Sequence, residues 1–201
     1  IGSGSRPSPL SEVVNDRCYA LFQDAVFGAP VSYVPLLEGD DPSTGATETS
    51  DLYDATANLL QVGSSNEILI EQSKLSLAQG WYIDLTRSGE KVLSTPLSFR
   101  GTVSFTTYEP TNISGSCIAK AGTSRVYLMA LADGTATEVW GQVNGTEVPQ
   151  RSYALDTPSI VEEPVIICTG EGCELFVGPE QPPVELLDGG QIVRTYWRQD
   201  Q

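Results

Sequence analysis

A chain of 201 residues with 40% apolar content is long enough to bury a core. Its 26 Asp and Glu stand against 11 Lys and Arg, a formal charge of −15, so nucleic acid is not an expected partner. It has no histidine, which excludes His-based triads and His-ligated zinc or copper within these residues.

The chain opens on Ile1 with "IGSGS", which reads as the tail of a strand entering a turn, and implies that more of the same fold precedes it. No basic and apolar leader follows, and no run of eighteen apolar residues could cross a membrane, so membrane insertion is not expected. "RCYALF" (17–22) is the first predicted strand. The segment "EGDDPSTGATETSD" (38–51) is acidic and free of large apolar residues, and is expected as an exposed loop. Between Ser64 and Gly80 the residues Ile68, Leu69, Gln72, Leu75 and Gln79 recur at helical spacing, which predicts one short helix over 67–78.

From there the pattern is strand after strand. "WYIDL" (81–85), "KVLSTPLSF" (91–99), "TVSFTTY" (102–108), "RVYLMAL" (125–131), "ATEVW" (136–140), "PVIIC" (164–168), "CELFV" (173–177) and "IVRTYW" (192–197) are rich in β-branched and aromatic residues. "RSGE", "FRGT", "LADGT", "VNGT" and "LDGG" supply the Gly or Asn that tight hairpins need. The expected fold class is all-β, with meander connections and one short helix.

Four cysteines in an acidic, Gly- and Thr-rich chain lean toward an oxidising compartment. In "CTGEGC" two glycines let the chain reverse, so Cys168 and Cys173 are expected to form a disulfide across a hairpin. A zinc site would need a second close pair of ligands, which is absent. Cys18 with Cys117 then follows by elimination.

Candidates for chemistry are few. Glu162 and Glu163 are adjacent, and adjacent strand residues point to opposite faces, so they are not an acid–base pair. Asp40, Asp41, Asp51 and Asp54 lack the spacing of a calcium loop and read as a solvated acidic segment. Trp81, Trp140 and Trp197 sit at strand ends and are expected in the core or between sheets rather than on a carbohydrate platform. "NIS" at 112 and "NGT" at 144 match a glycosylation pattern and are read as incidental.

"GWYIDL", "SGEKVLSTPLSFRGTVSFTTYEP", a Cys-containing loop and "SRVYLMALADGT" form a four-strand meander in order, and repeated radially that is a propeller blade. Together with "GSGSRPSPLSEVVNDRCYAL" (2–21), "DLYDAT" (51–56) and the closing "RTYWRQ" (194–199), the chain resembles the C-terminal β-propeller of the PilY family, tip-associated adhesin and assembly proteins of type IV pili. The resemblance spans nearly the whole chain. It implies a partial β-propeller, with quinoprotein-like blades of four-stranded antiparallel meanders, forming residues 1–201 as the last blades of a larger protein.

It further implies a non-catalytic extracellular module at the pilus tip, reached through the periplasm, that acts in pilus biogenesis and surface attachment. The implied partners are minor pilins, the rest of the same propeller, and host or abiotic surfaces. Loops at blade ends do the binding in propellers, which points to 38–51 and 109–124. Cys18 stands where the family more usually has an aromatic, consistent with an extra bridge to the Cys117 loop. The family's calcium run of alternating Asp and Asn is missing here, so neither metal nor cofactor is expected in these residues, and calcium is an expectation for a full-length protein only. A competing class is a fragment of a quinone-dependent oxidoreductase propeller, whose adjacent cysteines and cofactor ligands this chain lacks; a third is a secreted scaffold propeller.

Overall fold

The computed structural model describes residues 2–4, 7–11, 16–22, 51–111, 121–138, 141–143, 146–169 and 172–184. In chain order these form β1 (Arg17–Leu21), β2 (Tyr53–Asp54), α1 (Leu59–Val62), α2 (Ser65–Leu77), β3 (Gly80–Asp84), β4 (Lys91–Val92), β5 (Leu97–Phe99) and β6 (Thr102–Glu109). There follow β7 (Thr123–Ala130), β8 (Gly141–Val143), β9 (Thr146–Val148), β10 (Ser152–Ala154), β11 (Pro164–Cys168) and β12 (Cys173–Val177). The protein is mostly sheet with few helices, as its composition predicts.

β6 and β7 are the longest strands, paired antiparallel in register from Thr102↔Ala130 to Glu109↔Thr123. Side chains alternate between the two faces of a strand, and here both faces are covered. Val103, Phe105, Tyr127 and Met129 face one way, where they pack with Cys18, Trp81, Ile83 and Leu85. Val126 and Leu128 face the other way, against Leu155, Val161, Leu175 and Val177. The sheet β10-β7-β6-β4 is therefore a middle layer between the sheet β1-β3-β2 and the ribbon β11-β12. Phe105 and Tyr127 stack with ring centroids 5.0 Å apart in the first interface.

The predicted strand over 91–99 is two strands, because Pro96 has no N–H to give the ladder. β4 and β5 lie one after the other along the same edge of β6. Arg100 and Gly101 both take positive φ, 49° and 81°, and close the β5–β6 hairpin at the predicted "FRGT" turn.

The expected meander needs one correction. β3 does not lead into it but pairs antiparallel with β1, Cys18 opposite Ile83 and Ala20 opposite Trp81, and parallel with β2. Buried Leu85 and Glu90 anchor the crossing from one layer to the next, so the chain changes sheets where a hairpin is expected. The meander's fourth place is taken by β10, which pairs with β7.

The predicted helix is present as α2, one to two residues earlier than expected, with the unpredicted α1 ahead of it. Its inward stripe is Ile68, Glu71 and Leu75, whereas Leu69 and Gln72 are exposed. Of the strand predicted over 136–140, the described residues 136–138 show one bridge, Ala136 to Met129. Trp140, Trp197, the strand predicted over 192–197, and nearly all of the 38–51 loop lie outside the described residues.

Candidate interaction surface

The opening "GSG" is extended rather than turned. Gly2 bridges Cys18 of β1; Ser3 N–H donates to the Arg17 carbonyl at 2.7 Å, and Val92 N–H of β4 donates to the Ser3 carbonyl at 3.3 Å. Three residues thus tie the outer sheet to the middle one. The approach is close: a Cβ on Gly2 would lie 2.4 Å from Val92 Cβ, and one on Gly4 2.3 Å from the Val92 carbonyl oxygen. No other residue fits there without moving β4.

Beneath this strap lies a chain of buried polar groups. Ser3 Oγ accepts from Arg17 N–H at 2.7 Å and donates to Asp16 Oδ1 at 2.9 Å, while Lys91 Nζ donates to Asp16 Oδ2 at 2.8 Å. On the opposite side of β4, Glu90 accepts from Thr107 Oγ1 at 2.6 Å, Tyr127 OH at 3.0 Å and Arg87 Nη1 at 3.2 Å. Burial, then the Glu90 carboxylate, push the Tyr127 hydroxyl well above its ordinary pKa. Arg151 donates to the carbonyls of Ala55, Thr56 and Gly134 and to Asn58 Oδ1. Burial pushes its guanidinium down to about 10, still charged at neutral pH. These groups have their partners in the protein, and they join layers.

Among the described residues, exposed apolar side chains gather at two places, with Leu10, Leu131 and Ile160 exposed singly elsewhere. On the helices Val62, Leu69, Ile70 and Leu77 point outward, Leu77 with 87% of its surface exposed. On the ribbon Val165 and Ile167 are half exposed. Two clefts accompany them. One of about 290 Å³ lies between β2 and the end of α2, beside Tyr53, Lys74 and Leu77. The other, about 340 Å³, opens between β1 and β5 and is lined by Tyr19, Ala20, Leu21, Trp81, Pro96 and Val103.

Cys168 and Cys173 stand directly opposite each other at the end of the β11-β12 ribbon, Cα atoms 4.0 Å apart, and are bonded. Cys18 is a free thiol, 2% exposed, with its side chain in the core; the expected bridge to Cys117 falls on a residue outside the described ones. Burial pushes this thiol up to about 11. Cys117 lies outside the described residues, as do 112–120 of the second candidate loop; at its ends Thr111 Oγ1 donates to the Ala121 carbonyl at 3.1 Å. Trp81 is core, and its Nε1 donates to the Leu131 carbonyl at 3.0 Å. Glu162 and Glu163 are both exposed, ahead of β11 rather than in a strand, and Glu163 accepts from Thr95 Oγ1. Among the described residues no three His, Cys, Asp or Glu come together as a metal site, and no helix is long and apolar enough to cross a membrane. The residues that sequence reading passed over are Asp16, Glu90, Lys91 and Arg151. The strand-initial "EKV" is the one local signal for the middle two.

No family model matches the chain, and no curated protein does. Among solved structures it is similar to the C-terminal domain of Pseudomonas aeruginosa PilY1, at 13% identity and a TM-score of 0.50. The fold is PilY-like. The likeness covers 90% of this chain and 40% of the PilY1 chain, so these residues span less than half of what they match. At 13% identity the PilY likeness extends to the fold, not to individual side chains.

Proposed function

We propose that the chain is a non-catalytic part of a PilY-type protein, acting in type IV pilus biogenesis and surface attachment. The observation that carries this reading is the likeness to the PilY1 C-terminal domain over 90% of these residues. The order of the sequence motifs supports it independently, from "GSGSRPSPLSEVVNDRCYAL" to "RTYWRQ". In this reading the four-stranded meander of β4 with β5, β6, β7 and β10 is a propeller blade, and the protein is displayed outside the cell after passing the periplasm. The Cys168–Cys173 disulfide suits that route. Its partners are minor pilins, the rest of its own propeller, and the surface to which the cell attaches. Display and contact are the mechanism: the charged side chains with buried partners hold layers together, while apolar residues are left on the outside.

The test is an in-frame removal of these residues from the gene in its own bacterium, followed by measurement of sheared surface pilin and of attachment to a solid support. A loss of about tenfold or more in either, with the parent protein still exported, is expected. Unchanged piliation and attachment would overturn the reading. Loss of a quinone-dependent dye reduction instead would move the assignment to the oxidoreductase class.

A further inference from the structure

We infer that the outward side of α2 and the cleft at its end form a docking surface for a basic amphipathic helix of another protein. The inference does not depend on the pilus reading. α2 is apolar on two sides: Ile68 and Leu75 turn inward, Leu75 packing on the core around Trp81, while Ile70 and Leu77 are 47% and 87% exposed. A helix that only covers a sheet needs one apolar stripe and keeps its outer side polar. The second stripe of α2 lies open to solvent.

Its shape suits a helix. Ile70 and Leu77 are two turns apart and lie along one line of α2, with Lys74 between them and Glu67 one turn before. Leu77 ends this line at the 290 Å³ cleft, whose other walls are Leu52, Tyr53, Asp54, Lys74 and Ala78. A partner helix laid along the line packs residues one heptad apart against Ile70 and Leu77, and sets an apolar side chain into the hollow beyond.

The charges around the stripe specify the partner's charge. Lys74 is already engaged, its Nζ donating to Glu71 Oε1 at 2.8 Å, and Glu71 is also hydrogen-bonded by the Tyr53 side chain. Glu67 stands near one end of the line and Asp54 at the other, and among the described residues neither meets a cation at ion-pair distance. Glu67 is hydrogen-bonded by Ser64, and Asp54 by Thr56 N–H at 2.9 Å and by Tyr82. Lys or Arg flanking an apolar stripe complements both carboxylates, and the formal charge of −15 on the chain favours its approach. A second copy of this chain would instead bring the same uncompensated acids to the same place.

The test uses the full chain and a synthetic helix of about five turns, with Leu along one side and Lys along the other, followed by fluorescence anisotropy and amide hydrogen exchange. The peptide should bind, slow exchange across residues 65–77, and leave the β11-β12 ribbon unchanged. Ile70→Gln combined with Leu77→Gln, both at exposed positions, should weaken binding by about tenfold or more, whereas Val165→Gln with Ile167→Gln on the ribbon should not. Glu67→Gln should reduce the salt dependence of binding. The inference fails if the Lys peptide does not bind, or if a version in scrambled order or with Glu in place of Lys binds equally well. It fails too if binding survives the Ile70 and Leu77 changes, if the ribbon changes weaken it as much, or if its salt dependence is unaltered in Glu67→Gln. Dimers of the chain that the Ile70 and Leu77 changes abolish would overturn it as well, since a second copy would then be the occupant.

Discussion

The strap joint between β1 and β4 and the β11-β12 ribbon each help to cover one face of the same five-stranded sheet, yet they are held by opposite means. At the joint, glycines bring backbones into contact over buried ions, Lys91 with Asp16 and Glu90 with its three donors. The ribbon sets Leu175 and Val177 into an apolar cluster and is closed by a disulfide. A buried charge has few acceptable substitutes, because a lost partner leaves the other ion unsolvated. An apolar face tolerates exchange of similar volumes. The joint should therefore fail at single residues, and the ribbon gradually.

The largest expected effect breaks the joint. Lys91→Met removes the cation that Asp16 contacts among the described residues, and should lower stability by about 3–5 kcal/mol in urea unfolding. Adding Asp16→Leu to it should recover part of the loss, because no stranded carboxylate remains. A single substitution costing under 1 kcal/mol would mean that water reaches Asp16 and that the joint is looser than the geometry says.

The next effect is one of pH. Cys18 is raised to about 11 from its ordinary value of 9.0, so between those two values the unfolded chain loses this proton while the folded one keeps it. Stability falls as pH rises through that window, by about 2–3 kcal/mol on the linkage relation. In Cys18→Ala this share of the decline should vanish, leaving a shallower slope in thermal melts taken from pH 8 to 11. Identical slopes would place the thiol in contact with solvent.

The ribbon responds more weakly. Reducing Cys168–Cys173 releases a loop of only a few residues, for which chain entropy gives about 2 kcal/mol. The loss should be local, seen as faster amide exchange in Pro164–Val177 with β6 and β7 unchanged. Global unfolding on reduction would reverse the contrast between the two regions.

What the sequence made legible follows the same division. The ribbon was readable: a Gly-rich turn between two cysteines, flanked by β-branched runs, specifies a hairpin within a dozen residues. So was the Arg100–Gly101 turn, since its backbone demand is local. The joint was not readable, because charged residues are surface residues by default, and nothing near Lys91 in the chain announces Asp16, 75 positions away. The pairing of β3 with β1 was hidden for a related reason: strand periodicity says which face is buried but not which neighbour supplies the hydrogen bonds. β2, β8 and β9, of two or three residues each, are too short for periodicity to register at all.

α2 belongs to neither class, and it gives the smallest test. Its buried side is thin, with Glu71 the one fully buried residue, and Leu69, Ile70 and Leu77 face outward, so burial contributes little to it. What its sequence does provide is a capping box: Glu67 N–H donates to Ser64 Oγ at 3.4 Å, and Ser64 N–H and Oγ donate to Glu67 Oε2 at 2.8 and 2.6 Å. Those bonds from Ser64 hold the Glu67 carboxyl below the usual carboxylate range. Ser64→Ala should lower stability by about 1 kcal/mol at neutral pH. The Glu67 half of the box is present above the ordinary carboxylate pKa and lost as pH falls through the depressed one, so the difference between wild type and variant should shrink in acid. A difference that holds constant down to pH 3 would show that the serine hydroxyl acts alone, and that the helix start is fixed by its own backbone rather than by the pair.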